Sequence, residues 1–214
     1  MRTAYLIVFF GLLAVSGHSD KLFVPGDYSI INQAVSAAVD GDTILIAPGT
    51  YVENVDFLDK AIVLVIEQGA PVTVIDGNQN GTAVIIRYVT GGVPVIEGFK
   101  VTNGLALNGG GISCMGCNPI IRNCIITLNG TNGSNYTGHG AGIFIQEASP
   151  LIENCTLSEN ENGPADDFDD GGCGGGIYAG ASQLCRQSDC HRDCDVMDNV
   201  IPCATAFKPR EILP

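Results

Sequence analysis

The chain has 214 residues, a formal net charge of −13 at pH 7 and 28 glycines, while charged residues make up only 15% of it. The negative charge argues against binding to nucleic acid or to an anionic membrane surface. A chain of this length can bury a sizeable core, and few charges combined with many glycines and short β-branched runs favour an all-β architecture rich in turns.

Residues 1–19 have the pattern of a secretory signal peptide. Arg2 precedes an apolar run over residues 4–15, and small and polar residues follow it. The run is shorter than the roughly 18 residues needed to span a bilayer, and no later stretch has transmembrane character. We therefore predict a signal that is cleaved after Ser16 or Ser19, and a secreted or cell-surface mature chain without a transmembrane segment.

Residues 20–42 are predicted to form an N-terminal cap that contains a helix. Apolar residues recur at 30, 31, 34, 35, 38 and 39, which is helical spacing, and Gly41 is a stop signal. The segment that follows is divided into short strands, in which Ile44 and Ile46 are expected to point inward. A stack of strands needs its open end covered, and this helix would cover it.

Two series of similar segments run through the middle of the chain. The first aligns VPVIEGFKVTNG, NPIIRNCIITLN and SPLIENCTLSEN, and the second aligns GGGISC, GAGIFI and GGGIYA. Each segment contains short strands between turn residues and no helix-length amphipathic pattern. Within the first series, two positions are always aliphatic: one is held by Ile96, Ile121 and Ile152, the other by Val101, Ile126 and Leu157.

The bend position of the first series alternates between glycine and asparagine. These residues adopt a positive φ at the least cost, so we predict a left-handed bend whose residues stack vertically: Gly98, Asn123 and Asn154. Cys124 and Cys155 share the next position of this structural ladder. Apolar and polar residues alternate around the bend, so one face is buried. We predict a parallel β solenoid of about six coils over 43–180, because one coil alone cannot bury its apolar face.

Gly138-His139-Gly140 has the composition of an active-site triplet. It lies just ahead of the second series, where Asn108 and Cys173 stand in the other copies. We therefore interpret His139 as part of the repeat rather than as a catalytic residue.

The segment DGDTILIAPGTYVENV and the repeated GGGI and NC motifs resemble secreted right-handed parallel β-helix proteins of the pectin-lyase-like superfamily. The repeats are also similar to those of polymorphic outer-membrane proteins and other surface adhesins, whose second element is loosely matched by Ile126-x-x-Asn129 and Leu157-x-x-Asn160. The resemblance covers residues 24–180. It implies an all-β right-handed parallel β-helix with an N-terminal capping helix, but this fold carries many activities and some inert surfaces.

The catalytic motifs that the resemblance implies are incomplete here. Polygalacturonase-like enzymes carry Asn-Thr-Asp, Asp-Asp, Gly-His-Gly and Arg-Ile-Lys in that order, and this chain has only Gly-His-Gly and a later Asp169-Asp170. The basic candidates for a lyase are Arg87, Lys100 and Arg122, and of these Lys100 and Arg122 do not share a ladder position. We therefore assign no catalytic residue and favour a non-catalytic module that binds carbohydrate or serves as a surface scaffold or adhesin. The alternative is a polysaccharide lyase or glycoside hydrolase for acidic, pectin-like polysaccharide, or a truncated fragment of one.

An acidic loop follows the last complete copy of the first series. Carboxylates this dense are hard oxygen ligands of the kind that Ca²⁺ prefers, although the spacing is not that of an EF-hand. A solvated acidic loop is the simpler interpretation. The residues that would form the calcium site are Asp166, Asp167, Asp169 and Asp170.

The chain contains nine cysteines, whose pairing or burial has to be explained. We expect Cys124 and Cys155 to be buried thiols rather than a bridge, because parallel side chains point the same way. Cys114-x-x-Cys117 would form either a turn disulfide or two free thiols. Several Asn-x-Ser/Thr sequons also occur, including one at Asn129.

The tail over 181–214 is rich in cysteine and departs from the repeat as we interpret it. Three alternatives remain open: a disulfide-knotted cap, a metal site, or a foreign segment produced by a shifted reading frame or splice. The metal site would use Cys185, Cys190, His191 and Cys194.

Overall fold

A computed structural model describes most of the chain between residues 19 and 180 and two residues of the tail. The described ranges are 19–68, 72–132, 138–163, 175–180 and 195–196. The predicted signal peptide up to residue 18, the four aspartates of the acidic loop and the four proposed metal ligands of the tail lie outside these ranges.

The described residues form one short helix and nineteen strands of two to four residues. Their bounds in chain order are β1 Lys21–Val24, α1 Ile31–Ala37, β2 Thr43–Ile46, β3 Gly49–Val52, β4 Val55–Asp56, β5 Val63–Ile66, β6 Thr73–Asp76, β7 Val84–Arg87, β8 Val95–Glu97, β9 Lys100–Thr102, β10 Leu105–Ala106, β11 Ile112–Met115, β12 Ile120–Arg122, β13 Ile125–Thr127, β14 Gly130–Thr131, β15 Ile143–Gln146, β16 Leu151–Glu153, β17 Thr156–Ser158, β18 Ile177–Ala179 and β19 Asp195–Val196.

Three parallel sheets form the walls of a solenoid. Sheet 1 has the order β1-β2-β5-β8-β12-β16, sheet 2 the order β3-β6-β9-β13-β17-β19, and sheet 3 the order β4-β7-β11-β15-β18. Each strand of these sheets pairs in parallel with its counterpart one coil away. A small additional sheet joins β10 to β14. The predicted all-β solenoid is confirmed.

The register places like residues over like residues in the core. Ile121 pairs with Ile96 on one side and with Ile152 on the other, as the sequence pattern predicts. In sheet 2, Ile126 pairs in the same way with Val101 and Leu157. All six side chains are at least 99% buried. Because parallel strands lie about 4.8 Å apart, each coil contributes one layer to a continuous apolar column.

Three left-handed corners recur in the middle coils of the solenoid. The first, between sheets 1 and 2, holds Gly98, Asn123 and Asn154, with φ of 89°, 55° and 50°. The second corner, which follows sheet 2, is occupied by Asn103, Leu128 and Glu159, and the third, which follows sheet 3, by Tyr88, Gly116 and Glu147; every one of these residues has a φ between 51° and 61°. Stacked corners keep the strands of successive coils in register.

Helix α1 covers the N-terminal end of the solenoid, where it contacts β1, β2 and β4 and buries Ile31, Ala34 and Val35. The helix provides no side-chain cap of its own. Instead, the Glu53 carboxylate accepts hydrogen bonds from the N–H groups of Ile31 and Asn32, at 2.8 and 3.0 Å. The capping helix is therefore present and is held by the coil beneath it.

One two-residue strand of the cysteine-rich tail, β19, joins sheet 2 of the solenoid. Thr156 and Leu157 of β17 pair in parallel with Asp195 and Val196 of β19. This differs from our interpretation that the repeat stops at residue 180. The sequence signal was present, because Asp193-Cys194 and Val196-x-x-Asn199 repeat the pattern of Asn154-Cys155 and Leu157-x-x-Asn160.

In the part of the chain that the structure describes, no helix has the length and apolar character needed to cross a membrane.

Candidate functional site

A groove of about 460 Å³ lies beside the second corner and runs across successive coils. Corner residues form one wall, and the strip made by β10, β14 and the residues after β17 forms the other. The described lining residues are Gln79, Asn103, Gly104, Leu105, Leu128, Asn129, Gly130, Thr131, Glu159, Glu161, Asn162 and Gly163.

The corner wall presents its side chains because of the left-handed backbone. Asn103, Leu128 and Glu159 each come directly after a strand of sheet 2. Their positive φ interrupts the alternation of inward-pointing and outward-pointing side chains along that strand. The Leu128 side chain is 51% exposed although it is apolar. Asn103 donates through Nδ2 to Asp76 Oδ2 at 3.0 Å, which leaves its amide oxygen available as an acceptor.

The opposite wall is tied together by backbone pairing. Leu105 pairs with Gly130, and Gly130 forms a parallel bridge to Glu161. Thr131 is held on two sides, since its N–H donates to Glu161 O at 3.1 Å and its hydroxyl accepts from the Gly163 N–H at 2.9 Å. The groove is therefore a feature of the solenoid wall itself.

A buried amide closes the floor of the groove. Asn129 is 2% exposed and accepts from the Gly104 N–H at 2.9 Å. Its Nδ2 donates to Val101 O and Thr127 O at 3.1 Å and to Asn160 Oδ1 at 2.9 Å. The hydrogen-bonded asparagine ladder therefore lies here, and not at the first corner, where Asn123 is exposed and donates to Glu97 Oε1 instead.

The glycine clusters of the second repeat series leave room for this amide ladder. A Cβ on Gly111 would lie 2.5 Å from Gly142 O and 3.0 Å from Asn129 Nδ2. One on Gly142 would lie 3.0 Å from Asn160 Nδ2. Real Cβ atoms essentially never show contacts under 3.0 Å, so glycine is required here by the carbonyls of the next coil, at 2.5 Å from Gly111 and 2.4 Å from Gly142. The ladder amides at 3.0 Å would in addition have to shift by a few tenths of an ångström. The two repeat series are thus parts of one packing arrangement.

His139 lies within the stack of coils, as its sequence position predicts. It forms a parallel bridge with Asn108, whose Oδ1 accepts from the His139 N–H at 3.1 Å. Its ring stacks on Tyr178 with the centroids 4.5 Å apart, and the Phe144 ring stacks on Tyr178 at 5.4 Å. Burial lowers the pKa of His139. Such contacts describe a packed aromatic cluster.

The cysteines of the described region are free and buried. Cys124 and Cys155 occupy the same position in adjacent coils, and the hydrogen bond that Cys155 makes with Cys124 raises the Cys155 pKa. Burial raises the pKa of Cys114 and of Cys117. Because a thiolate and not a thiol is the reactive form, the raised pKa values keep Cys114, Cys117 and Cys155 unreactive. The hydrogen bond with Cys155 lowers the pKa of Cys124, but that thiol is 1% exposed.

The basic residues considered at the outset lie apart from the groove lining. Arg122 forms a 2.7 Å ion pair with Glu97, and Arg87 forms one of 2.9 Å with Asp56. Lys100 pairs in register with Ile125, so it shares no ladder position with Arg122. Within the described residues, no group of three or more His, Cys, Asp and Glu side chains is arranged to hold a metal ion. The calcium site at Asp166, Asp167, Asp169 and Asp170 stays a prediction.

A comparison with known protein families shows which family the chain belongs to. A family model described as the right handed beta helix region matches residues 62–202. The chain belongs to this right-handed β-helix family. The match extends past residue 180, as the pairing of β19 with β17 does. Domains of this kind occur in pectin-lyase-like proteins and in surface proteins. No curated protein matches the chain.

Proposed function

We propose that this chain is a secreted or cell-surface β-helix module that binds carbohydrate in the groove beside the second corner without cleaving it. The observation that carries the proposal is the composition of the groove. Amides, carboxylates and two leucines line one continuous surface across several coils. Sugar hydroxyls need hydrogen-bond partners of this kind, and apolar side chains favour contact with the C–H face of a sugar ring.

Cleavage of an acidic polysaccharide has less support. Such a substrate carries a carboxylate on each sugar, and a lyase must neutralise that charge with a cation or a basic side chain. The twelve described lining residues include Glu159 and Glu161 but no lysine, arginine or histidine. The groove would therefore repel a polyanion rather than activate it.

The groove can be tested with two matched leucine variants. Leu128 lines the groove, whereas Leu58 does not, and the two are 51% and 46% exposed with φ of 56° and 51°. We expect Leu128→Ala to weaken binding of a soluble glycan about ten-fold in isothermal titration calorimetry, because apolar contact is lost. Leu58→Ala should stay within about two-fold of the parent.

Equal affinities of the two variants would place binding outside the groove and overturn the proposal.

Incubation with polygalacturonate and Ca²⁺ supplies a second readout, which tests for cleavage. We expect no rise in ultraviolet absorbance from unsaturated products, and a steady rise would instead support the lyase alternative.

A further inference from the structure

Sheet 1 carries apolar side chains on its outward side as well as in the core. The residues that alternate with its buried ones point outward, and many of these are apolar and only partly buried or exposed. They lie in register in two stripes that meet at β5. The first stripe consists of Phe23, Leu45 and Val65, and the second of Val63, Val95, Ile120 and Leu151. We call these residues the apolar face.

The fold itself does not require an apolar outer side. In β9, β13 and β17 of sheet 2, the outward positions are mostly polar and only Ile125 is aliphatic. The other outward residues of those strands are Lys100, Thr102, Thr127, Thr156 and Ser158. In contrast, the two ends of the apolar face, Phe23 and Leu151, are 39% and 38% exposed. Contiguous apolar surface of this kind indicates a site of association.

The apolar face has the dimensions of a single helix. Its six strands lie about 4.8 Å apart, which gives a length of about 24 Å, and its stripes are about 7 Å apart along the strands. The area is therefore about 300 Å² once the side chains are included. An α-helix about 10–12 Å across covers this length with about 16 residues. A second copy of the chain would need about 800 Å² on each partner for a stable dimer.

The backbone of sheet 1 also favours a helical partner. The backbone groups of its strands lie in the plane of the sheet and are used in the pairing of successive coils. An extended peptide laid across the apolar face would bury its own N–H and C=O groups against hydrocarbon without partners, which is costly. A helix satisfies these groups internally and offers side chains alone.

The charges beside the second stripe are mostly negative. Glu67 directly follows β5, and Glu97, Arg122 and Glu153 end the next three strands in register. Arg122 donates through Nε and Nη2 to Glu97 Oε2, at 2.9 and 2.7 Å. Three carboxylates against one guanidinium leave a net charge of −2 on this edge. Lys21 lies at the opposite end of the face. A partner with basic residues along one flank complements this edge.

We infer that the apolar face binds a cationic amphipathic helix of another protein, about 16 residues long and aligned with the solenoid axis. The apolar stripe of the helix packs on the two stripes of sheet 1, and its basic flank lies beside Glu97 and Glu153. This inference is independent of carbohydrate binding, because no residue of the apolar face lines the groove.

A designed peptide tests the chemistry of the partner. The probe is a labelled 16-residue helix of alanine, leucine and lysine, with the leucines on one face and the lysines along its flank; the control peptide has glutamate in place of lysine. Both would be titrated with the full chain in fluorescence anisotropy. We expect the cationic peptide to bind with a Kd on the order of 10–100 μM, as suits a small interface. The anionic peptide should bind at least about ten-fold more weakly at low salt.

Two isoleucines of one coil provide a matched pair for the location. Ile120 and Ile125 are the first residues of β12 and β13, and both are half-buried. Ile120 pairs with Val95 and Leu151, whereas Ile125 pairs with Lys100 and Thr156. Ile120→Ser should weaken binding of the cationic peptide about ten-fold, and Ile125→Ser should stay within about two-fold of the parent. Circular dichroism would confirm that both variants keep the fold.

Two glutamates test the charge. Glu153 lies at the edge of the apolar face, whereas Glu147 is an exposed residue of the third corner. Glu153→Gln should weaken binding of the cationic peptide by roughly two- to three-fold at low salt, and Glu147→Gln should leave it unchanged. Added salt should reduce the difference between the cationic and the anionic peptide.

The outcomes distinguish the possible occupants of the apolar face. The inference is overturned if the cationic peptide does not bind, or if Ile120→Ser and Ile125→Ser weaken its binding equally. A parent dimer in analytical ultracentrifugation that Ile120→Ser dissociates would identify a second copy as the occupant instead. Co-sedimentation with phosphatidylcholine vesicles that Ile120→Ser abolishes would identify a lipid surface instead, and either result overturns the helical partner.

Discussion

Asn129 connects three consecutive coils through one side chain. Its amide bonds to Gly104 and Val101 in the preceding coil, to Thr127 in its own coil and to Asn160 in the next one. Buried backbone groups that lose such a partner cannot be rescued by water. A polar residue therefore acts here as a structural cross-link. Its sequon has no free amide to modify in the folded chain.

Replacing Asn129 should reveal this role. We expect Asn129→Ala to lower the free energy of unfolding by about 3 kcal/mol, since it leaves the buried N–H of Gly104 without its acceptor and removes the amide that joins three coils. Asn132→Ala, at an exposed asparagine nearby, should cost less than about 0.5 kcal/mol. Urea denaturation followed by circular dichroism would measure both, and similar losses would contradict the assignment.

The sequence predicts some corner residues and conceals others. Gly98, Asn123 and Asn154 indicate a left-handed bend because glycine and asparagine adopt it at least cost. Leu128 and Tyr88 give no such signal, although both have a positive φ. Their strain is offset by the pairing of strands on either side, which is a property of the stacked coils. The groove was missed for the same reason, because its wall consists of these corners.

At the scale of elements, α1 depends on the coil it covers. Seven residues are too few for a stable isolated helix. Glu53 satisfies its first N–H groups, and the Lys60 ammonium donates to the carbonyls of Val35 and Ser36 near its end, at 2.7 and 2.9 Å. Helical spacing predicts the helix, but not its partners. Glu53 lies 22 and 21 residues from the groups it caps.

Removing the remote cap should loosen the helix. We expect Glu53→Ala to lower the free energy of unfolding by about 1–2 kcal/mol, as the loss of an ordinary N-terminal cap does. Hydrogen exchange at the Ile31 and Asn32 amides should accelerate at the same time. Glu67→Ala, at an exposed glutamate, provides the control. Unchanged exchange at those two amides would show that the carboxylate is not needed.

At the scale of the whole molecule, stability is shared between neighbouring coils. Ile121 packs between Ile96 and Ile152, and no water reaches any of them. We expect Ile121→Ala to lower the free energy of unfolding by about 3 kcal/mol, because the cavity weakens two interfaces at once. Val52→Ala, at a strand residue that is 61% exposed, should change it by less than about 0.5 kcal/mol. Thermal unfolding that responds equally to both variants would argue against a dry column.

The connection that follows sheet 2 differs in length between coils, while the strands around it keep the same register. Only Leu107 lies between Ala106 and Asn108, whereas residues 132–138 lie between Thr131 and His139. Both ends still meet their counterparts one coil away. The length of this connection can therefore change without a change in strand register, while a single residue added within a strand would turn its buried side chains outward. The site after Thr131 is consequently a natural position for grafting a foreign peptide.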